Sequence, residues 1–211
     1  MDMKERVKMT SFVRAVRIGL GCLGLFAVGY QFVVRSMAPP FNPVDYFSYF
    51  TILSNILFAL GMIFSSVFER NHHAGWQMIR GASIVYMLVT GVVYTLLLRG
   101  LEESLQTSIP WVNAILHYVM PCVALVDWRI YRPSRPIRWS ALGIWLIFPL
   151  IYLLYSLIRG PLTGFYPYPF LNVERLGYPT VFLFCGMILI GMIGASLIVL
   201  VMSRQKVYKQ R

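Results

Sequence analysis

The sequence predicts an all-α membrane protein, a six-transmembrane helix bundle with both termini cytoplasmic. Three observations carry this. Of the 211 residues, 58% are hydrophobic and only 13% charged, a balance unsuited to a soluble domain of this size. The apolar residues fall in six runs, each near the ~20 residues needed to cross a hydrocarbon core of about 30 Å. The basic residues are segregated: Arg35, Arg99, Arg159 and Arg175 flank the outer ends, and the other fifteen of the 19 flank the inner ends. Such a bias in short flanks sets orientation.

The first span, 15–34, is too long for a cleaved leader and is followed by no small-residue cleavage site. The second, 44–68, opens on Tyr46, Phe47, Tyr49 and Phe50, an aromatic cluster expected at a membrane interface. The third, 79–98, carries a polar stripe of Ser83, Tyr86, Thr90 and Tyr94. The fourth, 109–128, is bounded by Trp111 and Trp128, and the fifth, 139–158, begins at Trp139, as an aromatic belt requires. The sixth, 180–202, holds Gly191 and Ala195, small enough for close helix packing. Residues 1–211 are read as one membrane domain without internal repeats. The segment 159–178 is predicted to be an outer loop, because its proline and glycine density stops helices. It also holds Phe165, Tyr166, Tyr168 and Phe170, which suits a cap on the bundle or an interfacial anchor.

Several function classes lose support. The net charge of +11 is read as orientation plus attraction to anionic lipid, so no nucleic-acid partner is expected. No lysine lies in a span, and Asp45 and Asp127 fall near span edges, which disfavours a Schiff base or a proton-coupled transporter. Only one histidine is placed in a span, so neither a three-ligand zinc site nor any other metal or cofactor is expected. His72 and His73 fall in an inner loop. Cys22, Cys122 and Cys185 have no paired spacing and are expected to be small buried packing residues.

His117 is the one ionisable side chain, cysteines aside, that the sequence puts deep in hydrocarbon, where such a group is a functional hypothesis by default. Thr51 lies at a similar depth. Counted from the outer ends of their spans at 1.5 Å per residue, the two are roughly 10 and 12 Å down. Ser48, Thr51 and Asn55 share a helix face with Ser54 beside them; Asn113, His117 and Pro121 share another. Together with Tyr86 and Thr90 they are predicted to line a polar pocket in the outer half. The alternative for a membrane threonine is a back-bond to the carbonyl one turn earlier, and for Ser and Asn a role as interhelical glue. In the functional reading, a threonine hydroxyl needs a base to take its proton during attack. A neutral imidazole can be that base and can return the proton to the leaving group. Asn113 and Asn55 are candidates to orient the ring or to donate to an oxyanion.

The stretches Tyr49-Phe50-Thr51-Ile52-Leu53-Ser54-Asn55, Trp111-Val112-Asn113 with His117 and Pro121, and Tyr166-Pro167-Tyr168-Pro169-Phe170-Leu171-Asn172 occur in this order. In them the chain resembles the androgen-induced and androgen-dependent integral membrane proteins and their bacterial six-span relatives. The resemblance covers nearly the whole chain. It implies a threonine hydrolase with Thr51 as nucleophile and His117 as base, acting on fatty acid esters of hydroxy fatty acids. Two positions depart from the animal members: Ala114 stands where they carry a second histidine, and Tyr118 where threonine is usual. The expected function is a lipid-ester hydrolase of the cell membrane, with a membrane lipid or lipid-like ester as partner. The alternatives are a non-catalytic protein that binds or moves a lipid or small amphiphile, and a structural partner subunit.

Overall fold

The computed structural model describes residues 11–68, 74–101, 109–133 and 136–204, and these contain helices and connecting segments but no strand. Six helical segments among them are long and apolar enough to cross a membrane: Ser11–Ser36, Phe50–Phe68, Ala74–Leu98, Pro110–Ile130, Ala141–Thr163 and Val173–Arg204. In chain order the α-helices are α1 (Ser11–Ser36), α2 (Pro43–Phe47), α3 (Phe50–Phe68), α4 (Ala74–Val93), α5 (Pro110–Ala114), α6 (Met120–Ile130), α7 (Ala141–Thr163) and α8 (Val173–Arg204). A π-helical turn, Tyr94–Leu98, extends α4, and another, Ile115–Val119, joins α5 to α6. The upper end of the bundle is where α1 finishes and α3 begins; the lower end is where α1 begins and α8 finishes. His72 and His73 lie outside the described residues.

Helix α4 runs through the centre. Its Ile84, Val85 and Met87 are buried in one apolar cluster with Phe58 and Met62 of α3, Met120 and Ala124 of α6, and Trp145 of α7. A missing side chain lets α7 approach α4 closely: a Cβ at Gly81 would lie 2.3 Å from the Trp145 ring. Most of α7 and α8 faces outward with large apolar side chains such as Leu154 and Ile190. Hydrocarbon accepts that arrangement, since lipid tails are as apolar as leucine.

In its spans and their packing the structure departs from the sequence reading in four places. The second span is not continuous from residue 44; α2 is separate, and the membrane-length helix starts at Phe50. The outer loop is shorter than 159–178, because α7 continues through Pro161 to Thr163. It stops at Gly164, whose left-handed φ of 70° is the usual glycine helix ending. Trp128 is no belt residue: it is buried, and its indole N–H donates to the Val199 carbonyl (3.0 Å). Cys22 and Cys122 are exposed on the helix surface rather than packed.

The lower end adds an ionic arrangement that helix periodicity does not reveal. At the lower end Arg17 Nε lies 2.8 Å from Asp127 Oδ1, and Arg80 Nη2 lies 3.0 Å from Asp127 Oδ2, all three side chains being buried. Arg80 also donates to Gln77 Oε1 (3.1 Å) and to the Tyr131 carbonyl (3.0 Å). Its guanidinium lies over the Trp128 ring, and that of Arg17 over Tyr131. Residues that the sequence placed near span ends thus form a buried ionic knot joining α1, α4 and α6.

Candidate active site

Thr51 owes its position to a break in the chain. After α2 the backbone leaves the helix at Ser48 and Tyr49, and α3 starts at Phe50. Helix α7 holds the break open. The Ser48 carbonyl accepts from the Tyr152 hydroxyl (2.9 Å), and Ser48 Oγ bonds the Tyr155 hydroxyl (2.9 Å). Arg159, at the upper end of α7, pairs with Asp45 of α2. Thr51 is therefore in the first turn of α3 rather than seven residues into a continuous helix. The first N–H groups of a helix have no partner within it, and that of Thr51 donates to the Tyr168 hydroxyl (3.2 Å).

His117 sits in the π-turn Ile115–Val119. Pro121, four residues on, has no N–H to give the His117 carbonyl, so the regular α pattern is already broken there. Single wide turns of this kind recur at functional sites. Gly91 of α4 packs against this turn; a Cβ there would lie 3.0 Å from Pro121 Cβ and 3.3 Å from the His117 carbonyl oxygen. The second π-turn supplies Tyr94, whose ring stacks on the imidazole with centroids 4.0 Å apart and planes 20° from parallel.

Two distances define the pair. Thr51 Oγ1 is 3.3 Å from His117 Nε2, and His117 Nδ1 is 3.1 Å from the Asn113 carbonyl oxygen. A carbonyl only accepts, so Nδ1 carries the hydrogen and, in the neutral ring, Nε2 turns its lone pair toward the threonine hydroxyl. That is the tautomer a general base requires. A separation of 3.3 Å is slightly long for proton transfer, as resting sites commonly are.

Asn55 and Asn113 are both buried, but neither side chain faces the threonine hydroxyl. Asn55 Nδ2 donates to the Thr51 carbonyl (2.9 Å) and to the Leu116 carbonyl (3.2 Å). It clamps the backbone beside Thr51 to the backbone beside His117, so the oxyanion role expected of it gives way to positioning. Asn113 donates through Nδ2 to the Tyr94 hydroxyl and steadies the imidazole twice, by its own carbonyl and by the stacked ring.

The expected pocket lining is largely corrected. A cavity of about 250 Å³ does reach the pair, but its wall includes Gln31, Arg35, Asp45 and Tyr49 as well as Thr51 and His117. Ser48 turns to Tyr155, Tyr86 donates to the Trp145 carbonyl (2.9 Å), and Ser54 is fully buried in packing. Ser48 and Tyr86 thus serve helix packing through partners outside the cavity, and Ser54 Oγ is buried without a hydrogen-bond partner. Thr90 lines a different, apolar cavity.

Tyr168 escaped the sequence reading as a site residue. Its hydroxyl accepts from Thr51 N–H and lies 3.3 Å from Thr51 Oγ1. The signal was its place between Pro167 and Pro169: a residue before proline is confined to extended backbone, and Tyr168 has φ −136° and ψ 144°. Gly160 seats the same loop, since a Cβ there would lie 2.0 Å from the Tyr166 ring. Burial pushes the Tyr168 phenol above its ordinary range, and that of Tyr49 up to about 12. Both stay neutral donors through any physiological pH.

Fold and site together define a multi-pass helical membrane protein with an alcohol–imidazole pair beneath a tyrosine-bearing loop. No protein-family model, no curated protein and no solved structure matches the chain.

Proposed function

We propose that the chain is an integral membrane lipid-ester hydrolase, with the upper end of the bundle outside and both termini in the cytoplasm. The observation that carries the reading is the Thr51 Oγ1 to His117 Nε2 contact of 3.3 Å with Nδ1 held by a carbonyl. Thr51 Oγ1 attacks the ester carbonyl carbon while Nε2 takes the hydroxyl proton. The oxyanion forms at the start of α3, where the helix dipole favours negative charge. Thr51 N–H and the Tyr168 hydroxyl are the donors nearest to it, and fixed donors of this kind are a large part of acyl-transfer catalysis. Collapse of the adduct expels the alcohol, which receives the proton from Nε2 and leaves an acyl-threonine ester. Water, deprotonated by Nε2, then attacks that ester; the acid departs and Thr51 regains its hydrogen.

The order of the Thr51, His117 and Tyr168 stretches, which resembles the androgen-induced membrane hydrolases, supports the same chemistry and points to fatty acid esters of hydroxy fatty acids as substrates. The test is labelling of purified protein with a serine/threonine-reactive fluorophosphonate, followed by peptide mapping. The label is expected on Thr51 and absent from Thr51→Ala and His117→Ala. Equal labelling of parent and variants overturns the hydrolase.

One observation favours a second reading, a non-catalytic lipid-binding protein. The partner of His117 Nδ1 is a carbonyl oxygen, not the carboxylate of a full triad. That reading predicts co-purified lipid ester that stays intact on long incubation.

A further inference from the structure

A second space reaches Thr51. A cavity of about 210 Å³ lies between α4, α7 and α8, with Val89, Leu146, Leu153, Leu171 and Ile188 in its wall. It shares Thr51, Leu98 and Tyr168 with the polar cavity, so the threonine stands where the two meet. The two walls differ in kind. The polar one carries Gln31, Arg35 and Asp45; the other is aliphatic and aromatic apart from Thr51, Thr90, Cys185 and two tyrosine hydroxyls. In the wall that α8 provides, a Cβ built on Gly186 meets nothing within 4 Å.

We propose that the apolar cavity is the acyl-chain site. The acyl arm of the ester lies between α7 and α8 with its carbonyl carbon at Thr51, and the alcohol arm occupies the polar cavity. This assignment rests on the hydrolase reading and adds the direction in which substrate lies. Polarity sets that direction: an alkyl chain laid against Arg35 and Asp45 would strip water from charged groups, which is costly. The cavity adds little affinity, because a chain arriving from lipid is already in hydrocarbon. What it adds is position, holding the carbonyl against the nucleophile, and a limited length. Thr90 refines the ligand class. Its hydroxyl is buried in this cavity without a partner, an unusual state for a polar group. A chain that carries an oxygen therefore suits the site better than a bare hydrocarbon.

The experiment uses the full chain in detergent and a hexadecanoyl methyl ester bearing a mid-chain diazirine. After irradiation, cross-links are expected on two buried parts of the wall, residues 89–90 and 170–171. Gly186→Phe, which fills the cavity, is expected to lower them at least tenfold while cross-links at the outward-facing Leu154 and Ile190 persist. Leu189→Trp repeats the test from the same wall in case the first variant fails to fold. Cross-links confined to the outer helix faces, or to residues 31–41 beside the polar cavity, overturn the assignment, as does indifference to both variants. Fluorophosphonate labelling of Thr51 is read on the same samples. Label without buried cross-links removes the acyl site and leaves the hydrolase standing. Buried cross-links without label remove the hydrolase and leave a lipid-chain cavity.

Discussion

The two ends of the bundle both bury polar groups, and they do so in opposite ways. At the lower end Arg17, Asp127 and Arg80 are ionic, lie 2.8–3.0 Å apart and are ringed by further donors, acceptors and aromatic faces. At the upper end Thr51, His117 and Tyr168 meet at the longer distances of 3.3 Å and border a cavity. The first set is closed on itself; the second has slack and room beside it. The contrast separates a structural from a chemical use of polarity inside a membrane protein. Charges that cannot be solvated persist where ion pairs and hydrogen bonds hold them, whereas a reacting group needs capacity left over for something else.

Substitutions sharpen this contrast. Asp127→Ala leaves two buried arginines facing one another, and breaking a buried pair typically costs about 3–5 kcal/mol. A large fall in melting temperature in detergent, with loss of monodisperse protein, is the expected result. His117→Ala is expected to do the reverse, keeping the melting temperature within a few degrees while ester turnover falls by about 10²–10⁴. If His117→Ala unfolds the protein and Asp127→Ala does not, the two ends have been assigned the wrong way round. Tyr168→Phe removes one donor at the start of α3 and should slow acylation by about 10²-fold, the low end for loss of an oxyanion donor; stopped-flow labelling measures it.

Asn55→Ala should act on both scales, modestly. It frees the carbonyls of Thr51 and Leu116, costs about 1 kcal/mol of stability, and lowers the labelling rate by misplacing the pair. The smallest effect is with pH. Tyr49 and Tyr168 keep their protons above the ordinary phenol range in the folded chain, while the unfolded chain releases them near pH 10. The native state then binds more protons, so stability is complete below pH 10 and falls as pH rises toward 12. A melting temperature that is flat over that window sinks the prediction.

The six spans were legible because their length is dictated by membrane thickness, and Thr51 and His117 because polar groups inside apolar runs are conspicuous. The break at Ser48 and Tyr49 was not legible. Neither residue forbids helix, and hydroxyls of α7, a hundred residues away, keep the segment open. Arg17 and Arg80 were legible as charges near span ends but their meeting with Asp127 was not, since only packing decides what such a charge touches. Asn55 and Asn113 lie on the expected faces, yet their amides found backbone and phenol partners that helix periodicity does not reveal. Tyr168 was visible only as an aromatic residue in a loop. Its meeting with Thr51 depends on how that loop closes over the bundle.

The wide turn at Ile115–Val119 has a consequence for how tolerant the fourth span is of length changes. Such a turn holds one residue more than an α-helix needs over the same rise. Removing a single residue within the turn would let the segment relax to regular α geometry with the helix above and below it still in phase, so that only the residues of the turn itself change direction. The imidazole would swing away from α3, while the span still crossed the bilayer with both ends in place. One codon therefore separates an intact, correctly inserted protein from one whose base can no longer find its alcohol.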